Sequence, residues 1–156
     1  MRMLMPAFLA VFLFTGCAGS PQVSEEIPWQ QVKVEIPADK ALVYIVRPFS
    51  WVGGVQQYKI SINGAHVANL ETGTYFSYLV PSGEVHVSAE TIPSIYNLGL
   101  GLAFMGKPVL TPKAGPREIV FINVEVSFSG GPKLTSVESG LGERLVKDAS
   151  KIEVLR

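Results

Sequence analysis

Apolar residues along this chain recur with a period of two, or crowd into short runs, so the elements they predict are strands. Ala41 to Arg47 is a continuous β-rich run, the pattern of a strand covered on both faces. Pro48 lacks a backbone donor and stops its pairing, and Trp51 to Gly54 reads as a loop. Tyr58, Ile60 and Ile62 then alternate with Lys59, Ser61 and Asn63, as in a half-buried strand. Asn63-Gly64 follows at once, a hairpin signal because a type I′ turn needs positive φ at both central residues. The return strand is expected from His66 to Leu70.

Thr74 to Val80 is an aromatic-rich strand turned by Pro81-Ser82-Gly83, after which Val85, Val87 and Ala89 alternate with Glu84, His86, Ser88 and Glu90. The longest clean alternation runs from Val120 to Phe128; Gly130-Gly131-Pro132 ends it, and Leu134 to Val137 is expected to pair back. Leu141, Leu145, Ala149 and Ile152 are spaced near a helical stripe, predicting a short C-terminal helix. Short strands bounded by Gly and Pro turns predict an all-β domain over 41–156, an antiparallel β-sandwich in preference to a small barrel.

Before this domain, Ala18 to Asp39 reads as a tether, punctuated by Pro21, Pro28 and Pro37 and solvated by Glu25 and Glu26. Trp29, Val32 and Val34 are its apolar exceptions, able to dock its second half on the domain. Ahead of it, Arg2 precedes an uncharged run from Met3 to Phe14, which contains Pro6. That run falls short of the ~20 apolar residues a spanning helix needs and matches an export signal over 1–16. Leu13-Phe14-Thr15-Gly16 leads to Cys17, the only cysteine, in the manner of a lipobox, so Cys17 is the expected lipidation site. Its acyl chains would contribute roughly 0.8 kcal/mol per buried CH₂. An ordinary secretory signal cut near Ala18-Gly19 is the competing reading. Ala18, rather than an Asp, after the cysteine favours the outer membrane, with the body facing the periplasm.

Composition narrows the rest. The formal charge of the 156 residues is zero, and losing Arg2 makes it −1. That balance argues against nucleic acid, whose phosphates require a net basic face, and membrane contact is expected to come from the anchor instead of lipid headgroup charge. With one cysteine there is no internal disulfide, so stability rests on packing.

Leu42-Val43-Tyr44-Ile45-Val46-Arg47-Pro48, the Ile62-Asn63-Gly64 turn, Gly73-Thr74-Tyr75-Phe76, and Val80 to Val87 resemble, in order and spacing, the DUF2846 family. The resemblance covers Ala41 to Val126. It implies a prealbumin-like (transthyretin-like) β-sandwich, often lipid-anchored in bacteria, and brings no known activity. The Ile92–Leu110 segment is longer and more apolar than that family's pattern.

Little chemistry is legible. His66 and His86 are the only histidines, and neither joins three or four ligands at zinc spacing. Glu84, His86 and Glu90 instead alternate as the polar face of a strand does. No Gly-x-Ser-x-Gly elbow is present, and Gly99, Gly101 and Gly106 lack the Lys-Ser/Thr of a phosphate loop. No catalytic residue, metal or cofactor is therefore assigned. A small periplasmic hydrolase or carbohydrate-active enzyme is the rival reading, with Glu84 and His86 its acid/base pair. The favoured one is a non-enzymatic envelope module binding a protein partner. Its candidate contacts are Phe49 and Trp51 in the loop, with Ile95, Tyr96, Leu98, Leu100, Leu102, Phe104 and Met105 of the apolar segment. Two readings of that segment stay open: a core-filling stretch, or an exposed patch.

Overall fold

In the computed structural model the described residues are 35–94, 106–127 and 131–155. The Ala41–Arg47 run forms β1 (Lys40–Arg47), buried along almost all its length. The alternating segments become β2 (Tyr58–Ile62), β3 (Ala65–Leu70), β4 (Thr74–Pro81), β5 (Gly83–Glu84) and β6 (Val87–Thr91). After the apolar segment come β7 (Val109–Leu110), β8 (Lys113–Ala114), β9 (Ile119–Val126) and β10 (Pro132–Val137). Helix α1 (Ser139–Lys147) and β11 (Ser150–Lys151) close the chain.

The strands make a five-stranded sheet, ordered β10-β9-β1-β4-β11, a four-stranded sheet, β3-β2-β6-β7, and a small β5-β8 pair. Most neighbours are antiparallel, but β1 pairs parallel with β9 and β11 with β4, which corrects the expectation of a purely antiparallel arrangement. The reason is connectivity. Parallel neighbours need a crossover, and between β1 and β9 the chain runs through β4 and the strands of the second sheet before returning.

One hydrophobic cluster draws on both large sheets: Val43, Ile45, Phe76, Val80, Ile122 and Val124 from the first, Tyr58, Ile60, Leu70, Val87 and Ala89 from the second. The other face of the first sheet is covered as well. There Tyr44 stacks on Phe121, ring centroids 5.2 Å apart, and lies 6.2 Å from Tyr75. A side chain at Gly142 of α1 would overlap the Phe121 ring, so the helix lies close on this aromatic layer. This double covering is why β1 carries an apolar residue at nearly every position.

The Asn63-Gly64 turn has positive φ at both residues, 49° and 83°, and joins β2 to β3. The register shifts between Ile60 and Ser61, where Ile60 faces Ala68 and Ser61 faces His66. The extra residue, Val67, is buried beside Ala68, so the bulge turns two consecutive side chains inward. The helical stripe differs from expectation: α1 buries Gly142 and Val146, Leu141 is exposed, and the chain is already extended at Ser150. Ile152 then packs against the core as part of a tail, not a helix. That tail crosses from Tyr75, whose carbonyl accepts from Ile152, to Val67, whose carbonyl accepts from Leu155.

Candidate functional site: a clamped apolar tip

The ten residues Pro48–Gln57 between β1 and β2 carry no charge, and they are held from below by Arg47. Strand parity sets this up. Arg47 shares the phase of Ala41, Val43 and Ile45, all in the core, so its side chain points inward and is only 1 % exposed. Its Nη1 donates to the carbonyls of Gln56 at 2.6 Å and Leu70 at 3.3 Å, and its Nη2 to that of Gly53 at 2.7 Å. The guanidinium lies 4.4 Å from the Tyr58 ring centroid, and the Tyr58 hydroxyl donates to Gln56 Oε1 at 2.8 Å. Among the described residues no carboxylate reaches ion-pair distance of Arg47. Backbone carbonyls and a π face take that place.

Burial lowers the Arg47 pKa from its ordinary value, while the neighbouring Tyr58 and Glu71 oppose the shift. Burial likewise raises Tyr58, with Arg47 pulling it back, and raises Tyr44.

Two further ties hold the loop. The Ser50 amide donates to Thr72 Oγ1 at 2.9 Å, and Phe49 packs over Gly73, with Cβ 3.6 Å from where a glycine side chain would begin. Gly53 sits at φ +71°, and a side chain there would meet Val126 Cγ2 at 2.6 Å, so this turn both needs the left-handed region and presses on β9. The outcome is an exposed apolar crest: Trp51 is 90 % exposed, Val55 75 %, Val52 73 % and Phe49 62 %. Phe49 and Trp51 meet edge to face at 5.3 Å, so neither loop aromatic is spent capping the core.

Of the other sequence candidates, Cys17 and Ile95 to Met105 lie outside the described residues. The chain leaves the second sheet after Thr91 at the crest's end of the body, where the Ile92 amide donates to the Gln57 carbonyl. Of the acid/base pair of the rival reading, Glu84 ends β5 and His86 lies between β5 and β6. Both are exposed; the His86 ring is 3.4 Å from Thr111 Oγ1, and its backbone amide donates to Asn63 Oδ1 across the turn. His66 pairs with Asn69 Oδ1 at 2.9 Å. Among the described residues no three His, Cys, Asp or Glu side chains group as a metal site. Nor is any described helix long and apolar enough to cross a membrane.

The sequence reading singled out Phe49 and Trp51 but not Val52, Val55 or the cation beneath them. Two signals were available: an arginine in the inward phase of a buried strand, and an uncharged loop directly after it. No family model, curated protein or solved structure matches the chain.

Proposed function

We propose that this chain is a bacterial lipoprotein acylated at Cys17, a non-enzymatic envelope module that holds its β-sandwich body on a membrane and works through the 48–57 crest. The observation that carries the binding role is the crest itself, four large apolar side chains in water on a loop fixed by a buried arginine. Exposed apolar patches of this kind mark interaction sites, and a loop clamped from below cannot relieve its exposure by folding inward. The prealbumin-like sandwich belongs to the same proposal, supported by the single core that the two sheets share. The mixed pairing around β1 is an elaboration on it.

Substituting Cys17→Ser tests the anchor. The variant should leave the membrane fraction and lose incorporation of labelled fatty acid, whereas unchanged fractionation with no label in the parent would remove the lipoprotein reading.

A further inference from the structure

We propose that the crest Phe49-Trp51-Val52-Val55 inserts into the interfacial layer of a lipid bilayer, giving the body a second, non-covalent membrane contact. This rests on the lipoprotein reading for its setting and names the occupant of the same site. Three observations select lipid over a protein groove or a second copy. The loop has no charged residue, and its polar side-chain groups are Ser50, Gln56, Gln57 and the Trp51 indole N–H, which suits the boundary where Trp and Phe settle between headgroups and acyl chains. Two hollows among the described residues, one lined by Leu110, Ile119 and Val137 and the other by Ser82, Gly83, Glu84 and Lys113, lie at the Lys40 end of β1, away from the crest. The hydrogen bonds with Arg47 and Thr72 that tie the loop in this conformation also reduce the conformational freedom lost on insertion.

Reach is consistent with this. β1 places the crest about 23 Å from the point where the chain enters the sheet. A chain of the length of 18–39 could span at most about 70–80 Å, enough for a body anchored at Cys17 to bring its crest to the same leaflet. The anchor would then limit where the body goes, and the crest would set which end faces the lipid.

The test reads Trp51 alone. The full acylated protein carrying Trp29→Phe is reconstituted in phosphatidylethanolamine–phosphatidylglycerol vesicles with or without brominated acyl chains. Trp51 emission should shift to the blue and be quenched by the bromines. Combining Phe49→Ser, Val52→Ser and Val55→Ser should weaken that quenching about tenfold. The Cys17→Ser chain, added to the same vesicles, should still show Trp51 quenching, so failure of the anchor and failure of the crest are read separately. Water-like Trp51 emission in both vesicle types would overturn the proposal. A blue shift without bromine quenching would overturn it too, in favour of a protein partner or a second copy.

Discussion

At the scale of single residues, Arg47 has the greatest consequences. A buried cation without a carboxylate is costly unless its donors are matched, and here three carbonyls and an aromatic face match them. Arg47→Met keeps bulk but leaves the Gln56 and Gly53 carbonyls without this donor, and should cost about 2–4 kcal/mol in urea unfolding. Arg47→Lys should recover only part of this, because one ammonium cannot reproduce a planar fork. In both variants the fluorescence anisotropy of Trp51 should fall as the crest loosens. Equal anisotropy in the parent and Arg47→Met would show that the clamp does not hold the loop. The site was half legible here. Exposed aromatics in a glycine loop can be suspected from composition, but an arginine at a strand end reads as solvated until strand parity is followed to the inside.

At the scale of elements, α1 shows how packing reverses propensity. Glycine is the poorer helix former by roughly 1 kcal/mol relative to alanine, yet Gly142 lies where a methyl group would overlap the Phe121 ring. Gly142→Ala should therefore destabilise by about 1–3 kcal/mol through overpacking. Gly140→Ala, with open space around it, should stabilise by about 0.5 kcal/mol. Thermal unfolding of the two variants should move in opposite directions; a common sign would contradict this packing. The helix itself was readable, but its buried face was not. A stripe of Leu141, Leu145 and Ala149 is amphipathic by spacing, whereas the helix buries Gly142, which lies against Phe121, and Val146. The strands were more transparent. Period-two alternation names the core-facing residues of β2 and β9 directly, and Asn63-Gly64 has the left-handed geometry its sequence demands.

For the whole molecule, the tail after α1 completes the body. β11 adds two residues beside β4, Ile152 and Val154 pack on the core, and Leu155 bonds to Val67 of the other sheet. Removing 150–156 should cost about 2–4 kcal/mol from lost apolar burial and hydrogen bonds. It would also bare the β4 edge and promote self-association visible in sedimentation. A truncated chain as stable and monomeric as the parent would show that the tail is dispensable. Local patterning alone decided that this is a β protein, where most strands lie, and that its only cysteine follows a short apolar run, since each depends on neighbouring residues. Tertiary structure decided that β1 and β9 run parallel, that α1 shows glycine to the sheet, and that an arginine lies beneath the crest. Those outcomes depend on which distant segments meet, and a period of two assigns a face to each strand but never names its neighbour.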